Sequence, residues 1–404
     1  MCGCQNFTEV LDLGTHSLVN SYLRKEDLDK KEILYPLVVH RCNDCSLIQM
    51  LNVVDPVEIY TLGNYLYFST DVPGLNLYFE EYAEDVRNRF INGKDDLIVE
   101  IACNDGILLE QLKNDANILG VDAAPNAVLK ALKKGIPAFP ALFNGNVAKL
   151  IVKEYGQADV LMANNCIAHV DDLNNFMEGI NLLLSDDGVF IFETGYWGNM
   201  VNSANYEQIY HDHYCYFSVE VWRNYAKKFN LQVFDAVVTP AQDNCAVRVF
   251  LCRNGKRNQT ERLEAIIKRE TEEETNTLEK SLEYQNQVKK AWANLKTVLN
   301  NIKNKGDSIA AYGASAKGGT IARAADLGGG LIDYYVDDST AKHGLYTPIY
   351  HIPIISRNEA EENIPDYFLI LAVNYAQNIM AKENKFKEDG GKFIVPKGTD
   401  IQIH

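Results

Sequence analysis

The 404-residue sequence predicts an α/β protein of two or three domains, because a chain this long exceeds one compact core and has apolar residues enough for several. Two stretches carry the α/β expectation. "DLIVEIACNDGILLEQLKNDANILGVDAAPN" reads as a buried strand (Leu97 to Ile101), a small-residue turn, an amphipathic helix and a second strand ending in Asp122. "SIAAYGASAKGGTIARAA" followed by "LIDYYVDD" repeats that order. Between them, from Lys256 to Lys305, there is no Gly or Pro, and Leu278, Leu282, Val288, Trp292, Leu295, Leu299 and Ile302 recur at helical spacing. That segment predicts a helical connector packed on a neighbouring domain or a second subunit.

Charge and apolar runs exclude some classes. A formal charge of −16 leaves no positive excess for a phosphate backbone, so nucleic acid is not an expected partner, while a local pocket for one small anion stays open. The longest apolar runs, such as "YFLILAV", fall short of a bilayer span, and no charged-then-apolar signal pattern opens the chain. A cytoplasmic protein without membrane contact is the expectation. Nine cysteines in such a chain point to thiols and a metal rather than to disulfides.

Four of those thiols are placed in pairs. Cys2 and Cys4 open the chain, and Cys42 and Cys45 form the knuckle "CNDC" after a segment able to fold back, which is the logic of a tetrahedral zinc site. The Cys-x-x-Cys half suits a knuckle turn. Cys-x-Cys is tighter than usual, so Cys2 is the weakest of the four expected ligands, and four reduced thiols without metal would fit the same spacing.

An acid at the end of the second strand of a β-α-β unit is where a carboxylate accepts the hydroxyls of an adenosine ribose. The turn before it lacks G-x-G-x-x-G and therefore offers no close approach to a diphosphate. S-adenosylmethionine fits better: Glu100 and the turn Ala102, Asn104, Asp105, Gly106 would face its amino-acid end and Asp122 its ribose. Asn164 and Asn165 follow the next strand at the same carboxyl edge, where doubly wound sheets bind ligands. A plain doubly wound sheet without cofactor would share this pattern.

The stretch "IYHDHYCYFS" places His211, Asp212 and His213 beside Tyr210 in a chain with eight histidines. Imidazoles flanking a carboxylate suit proton transfer near neutral pH, and hydrogen-bonded surface histidines would look the same. Lys317 lies in a Gly-flanked loop opening a helix, a cradle for an anion such as a sugar-nucleotide diphosphate or a purely structural β-α turn.

Taken in order, "VLDLG" with "SLVNSYL", "HRCNDCSLIQM", "YLYFST", "VEIACNDGILL", "ANNCIAHVDDLNNF", "IYHDHYCYFS" and "YGASAKG" with "YYVDDSTAKHGLYTP" resemble the three-domain nucleotide-sugar C-methyltransferases over nearly the whole chain. The resemblance implies a zinc-binding N-terminal domain (1–75), an S-adenosylmethionine-dependent Rossmann-like core (76–255), the helical connector (256–305) and a C-terminal Rossmann-like domain (306–404). It implies methylation of a ring carbon of a TDP-linked 4-keto-deoxysugar by a monomer or homodimer. His213 matches the base, Tyr210 a donor to the enolate oxygen and Asp212 an orienting acid, with His211 or Asp212 the next candidate for the base. Tyr67, Ser69 and Lys317 fall on substrate positions. Three departures stand out: Asp212 replaces the family's Glu, Asn244 and Cys245 replace a Gly-Gly pair, and Cys2-x-Cys4 is one residue short. An O- or N-methyltransferase and a non-catalytic sugar-nucleotide binder are the alternatives.

Overall fold

A computed structural model gives the fold and describes all residues except 58, 60–67, 73 and 329, and no side chain at 242 and 243. Tyr67 therefore lies outside the described residues. The N-terminal sheet begins with β1 (Phe7–His16) antiparallel to β2 (Tyr35–Cys42), which pairs with β3 (Ile48–Met50). The reversal between β2 and β3 is the "CNDC" knuckle, closed by the Leu47 carbonyl accepting from Cys42 N–H at 2.8 Å, with Ser46 left-handed at φ 64°.

The core runs α1 (Leu75–Phe90), β4 (Leu97–Ile101), α2 (Ile107–Leu112), β5 (Asn117–Asp122), α3 (Pro125–Lys133), β6 (Ala138–Pro140), α4 (Gly145–Tyr155), β7 (Ala158–Asn164), α5 (Leu173–Leu183) and β8 (Leu184–Gly195). It continues with α6 (Trp197–Ser203), β9 (Cys215–Tyr216), α7 (Val219–Ala226), β10 (Leu231–Thr239), a one-turn α8 (Ala241–Asn244) and β11 (Ala246–Arg253). The sheet order is β10-β11-β8-β7-β4-β5-β6, with β4 to β8 parallel and the last two strands antiparallel. Helices cover both faces, so β4 is buried along its whole length and reads as the continuous run "LIVEI". The chain leaves β4 for β5 on one side and β7 on the other, and this switch point opens the crevice at the carboxyl ends. β9 leaves the core to pair with β3, which stretches residues 205–214 between the two sheets.

The connector comes as two helices, α9 (Glu261–Glu272) and α10 (Leu278–Lys303), broken where Glu274 turns left-handed at φ 53° and Thr277 caps the second helix. Its apolar face lies within this chain: Tyr284, Val288, Ala291, Leu295, Leu299 and Ile302 are buried, and Leu282 faces solvent. The C-terminal sheet is built from β12 (Ile309–Tyr312), α11 (Ala316–Ala324), β13 (Tyr335–Val336), β14 (Ile354–Ile355), β15 (Tyr367–Ile370), α12 (Ala376–Lys382), α13 (Asn384–Glu388), β16 (Lys392–Lys397) and β17 (Asp400–Ile403). Its order is β14-β13-β12-β15-β16-β17, parallel except for β17. The N-terminal region is strapped to it: Leu23 and Tyr346 exchange backbone bonds of 2.9 and 2.8 Å, and Tyr22 Oη donates to the Ala314 carbonyl at 2.6 Å. Among the described residues no helix is long and apolar enough to cross a membrane.

Candidate active site and metal centre

The crevice at the end of β4 is a row of polar residues on one face of four adjacent strands. Strand register sets Glu193 beside both Asn164 and Arg248, and Asn164 Nδ2 donates to Glu100 Oε1 at 3.4 Å. Arg248 donates to Glu193 at 3.1 Å, and its guanidinium lies 3.3 Å over the Tyr82 ring. The turn after β4 is left-handed at Ala102 (φ 56°), Asn104 (φ 52°) and Gly106 (φ 78°). At Gly106 a Cβ would also come within 2.9 Å of the Ile136 side chain, so glycine answers both the backbone angle and the packing of α2.

Asp122 holds this turn in shape. One carboxylate oxygen accepts from Asn104 N–H and the other from Ala124 N–H, both at 2.8 Å. Ser69 N–H donates to Asn104 Oδ1 at 3.0 Å, and the Thr70 hydroxyl donates to Asp105, so the segment carrying Ser69 closes onto the cofactor turn. Among the described residues, Glu100 Oε2, Asp105 Oδ1 and Asn164 Oδ1 are buried without a hydrogen-bond partner. Orphaned acceptors are costly, and three in one crevice fit the N–H donors of an amino-acid ammonium, the end of S-adenosylmethionine expected here. Burial, reinforced by the charges of Asp122 and Asp105, pushes the Glu100 carboxyl up to about 8. Burial likewise raises Asp122.

The second cluster sits where residues 205–214 cross between sheets. The Tyr210 and His213 ring centroids are 4.1 Å apart at 34°, and His169 stands 4.8 Å from His213. His213 Nδ1 lies 2.7 Å from the Gln208 carbonyl oxygen. A carbonyl only accepts, so Nδ1 carries the proton and Nε2 of the neutral ring keeps its lone pair. Burial holds the His213 pKa well below the ordinary imidazole value, and the His169 and Lys317 charges push the same way against the Gln208 carbonyl. Burial takes His169 down to about 4. Asp212 has a buried Oδ1 without a partner among the described residues, and burial pushes its carboxyl up to about 7.

His211 is turned away from this cluster. Its Nε2 is 3.2 Å from the Pro36 carbonyl, and its ring packs edge-on against Tyr35 and His16 in the seam with the N-terminal sheet. Lys317, in the first turn of α11, reaches His213 electrostatically. The structure thus brings Tyr210 and His213 together within reach of the Lys317 charge and adds His169, while Glu193 and Arg248 are additions to the cofactor crevice. The signals for the additions were faint: His169 ends the loop after β7, and Glu193 lies two residues before the end of β8.

At the other end of the N-terminal sheet the sulfurs of Cys2, Cys42 and Cys45 lie within 4.8 Å of one another, with Cys2 and Cys42 at 3.5 Å. Sulfurs around a tetrahedral ion with Zn–S of about 2.3 Å stand about 3.8 Å apart, so these thiols fit zinc. Cys4 is not in the close trio; its sulfur accepts Asn6 N–H at 3.2 Å. Cys2, the weakest of the four in spacing, is the one the fold brings onto the knuckle.

Known families match the chain in three consecutive blocks. Residues 1–60 match the family described as "Putative zinc binding domain", 76–236 "Methyltransferase domain" and 245–397 "C-methyltransferase C-terminal domain". In that order the blocks make the chain similar throughout to the three-domain C-methyltransferases. A relative, C-methyltransferase NovU of Streptomyces niveus, is 29% identical over 400 residues, covering 98% of this chain and 94% of its own. Among solved structures, an S-adenosylmethionine-dependent methyltransferase from Clostridium acetobutylicum is 16% identical, covers 46% of this chain and 94% of its own, and superposes with a TM-score of 0.35. Magnesium protoporphyrin IX methyltransferase from Synechocystis with bound SAH is 12% identical over 44% of this chain and 84% of its own, also at a TM-score of 0.35. As a C-methyltransferase of this make-up, the chain is an S-adenosylmethionine-dependent enzyme with a zinc-binding N-terminal domain.

Proposed function

We propose that this C-methyltransferase acts on a 4-keto-deoxysugar linked to a nucleotide, TDP by resemblance, and that His213 removes the proton from the carbon beside the ketone. The observation that carries the reading is the His213 ring: Nδ1 fixed on a peptide carbonyl, Nε2 available, a phenol stacked beside it and burial keeping it neutral. A neutral imidazole in such a pose is a general base. The proton passes from the sugar carbon to His213 Nε2, and the electron pair of that C–H bond moves into an enolate. Tyr210 Oη donates a hydrogen bond to the enolate oxygen, a contribution of about 3 kcal/mol for one preorganised donor. Glu100, Asn104, Asp105, Asp122, Asn164 and Asn165 would hold S-adenosylmethionine, which when bound supplies an electrophilic methyl group. Lys317 would meet the anionic part of the substrate, and Ser69, whose N–H donates to Asn104, borders the cofactor turn. The zinc, held by Cys2, Cys42 and Cys45 with Cys4 the candidate for the fourth sulfur, leaves no open position and is structural.

Isotope exchange tests the reading. With S-adenosylhomocysteine in the site and heavy water as solvent, the keto sugar should gain deuterium at one ring carbon faster than in buffer. His213→Asn should slow that exchange by about 100-fold or more, the usual worth of a general base. An O- or N-methyltransferase gives no carbon exchange at all, and exchange at the wild-type rate in the variant would move the base elsewhere.

A further inference from the structure

We propose that Thr320 of α11 is a positioning residue for His213, so that the helix carrying Lys317 also sets which imidazole nitrogen is free to accept a proton. The inference rests on His213 being the base. The two neutral tautomers of a histidine are close in energy, and the one protonated on Nε2 would present an N–H where the base must be. What selects the other tautomer is the Gln208 carbonyl at 2.7 Å. That carbonyl belongs to a turn which its own chain secures only partly: Ile209 N–H donates to the Tyr206 carbonyl and His213 N–H to the Tyr210 carbonyl, each at 2.9 Å. Two hydroxyls from outside brace the turn. Tyr284 Oη of α10 donates to the Asn205 carbonyl, and Thr320 Oγ1 donates to the Ile209 carbonyl, both at 2.9 Å.

Thr320 is the brace nearest the carbonyl that matters. The Gln208 carbonyl and the Ile209 N–H form one peptide unit, and the Ile209 carbonyl belongs to the next, hinged to it at the Ile209 Cα, so a hydroxyl fixing the Ile209 carbonyl limits rotation of the Gln208–Ile209 unit beside it. Thr320 is 2% exposed and lines, with Tyr210 and His211, a cavity of about 70 Å³ between α11, the histidine turn and the N-terminal region. Lys317 stands one turn earlier on the same helix. Contacts between that turn of α11 and substrate are thereby tied rigidly to the pose of the base.

Nitrogen-15 spectra of the full, cofactor-free chain read the tautomer directly. Wild-type His213 should show a protonated Nδ1 and an unprotonated Nε2, and an Nε2-protonated ring in the wild type overturns the proposal without any variant. Thr320→Val keeps the shape and removes the donor. It should populate the second tautomer and lower kcat about 10-fold, a partial loss of a general-base effect, while the KM for the sugar nucleotide and the affinity for S-adenosylmethionine stay within about twofold. Thr320→Ser should restore both spectrum and kcat. Wild-type nitrogen shifts in Thr320→Val, or a kcat loss that serine does not restore, leave Thr320 a mere carbonyl partner and sink the idea. Failure of the base assignment shows separately, as undiminished deuterium exchange in His213→Asn.

Discussion

The chain contains the same local device twice, and the two copies differ in what completes them. In the core, Asp122 ends the second strand and takes Asn104 N–H and Ala124 N–H on its two oxygens. In the C-terminal unit, Asp337 follows β13 and takes Ala314 N–H at 2.8 Å and Ser339 N–H at 2.9 Å in the same manner. The C-terminal copy is then closed by its own chain. Lys342 Nζ lies 3.1 Å from Asp337 and 2.7 Å from the Ala314 carbonyl, which also accepts from Tyr22. In the core copy Lys134 Nζ reaches one Asp105 oxygen at 3.6 Å, and among the described residues three buried acceptors, Glu100 Oε2, Asp105 Oδ1 and Asn164 Oδ1, are left without a donor. The same acid-ended β-α-β unit thus comes once with its acid closed by its own chain and once with acceptors left over, and the leftover acceptors are those the proposed cofactor would meet.

The largest expected effect breaks the joint. Asp337→Ala removes two backbone caps and strands Lys342 in a largely buried position, which should cost about 3 kcal/mol of stability, read by denaturant or thermal unfolding. Affinity for S-adenosylmethionine should not move. A variant as stable as the wild type would mean that Lys342 and the Ala314 turn find other partners at no cost.

The matching change in the core should act on the ligand first. Asp122→Ala is expected to weaken S-adenosylmethionine binding by about 1.5 to 3 kcal/mol, the worth of hydrogen bonds to a charged group. Because Asp122 also receives two backbone N–H groups, stability without ligand should fall by about 1 to 2 kcal/mol. Calorimetry at a temperature where the variant is fully folded separates the two. If Asp337→Ala lowered cofactor affinity as much as Asp122→Ala, the contrast between the copies would be false.

Both copies were legible in the sequence as strand, turn, helix and acid-ended strand, because buried parallel strands read as unbroken apolar runs. Their difference was not. Lys342 and Tyr22 close the C-terminal copy from different parts of the chain, and no periodicity announces such a meeting. The same holds for the active site. "IYHDHYCYFS" was visible, but that His211 turns into a seam while His169 joins His213 follows from a loop strung between two sheets. Arg248 and Glu193 meet because β11 runs antiparallel beside β8. The zinc knuckle was read from Cys42 and Cys45; that Cys2 is the N-terminal sulfur lying closest to it follows from the path of residues 1–6, which spacing does not show.

The smallest expected effect sharpens the contrast by counting protons. Glu100 stands at about 8 in the folded chain against an ordinary 4.5, so the native state still holds a proton that the unfolded chain loses. Its contribution to the stability of the cofactor-free fold is therefore complete below about 4.5 and is lost as pH rises through about 8. An ammonium placed against Glu100 favours the carboxylate and reverses that preference. Binding of S-adenosylhomocysteine, which keeps the ammonium and lacks the reactive methyl, should then release a fraction of one proton at pH 7, and its affinity should rise between pH 6 and pH 8. Calorimetry in buffers of different ionisation enthalpy measures the release, and Glu100→Gln should abolish it while leaving unfolding less sensitive to pH across the same window. Binding that releases no proton in the wild type would place the ammonium away from Glu100 and leave the orphaned acceptors of the crevice to another donor.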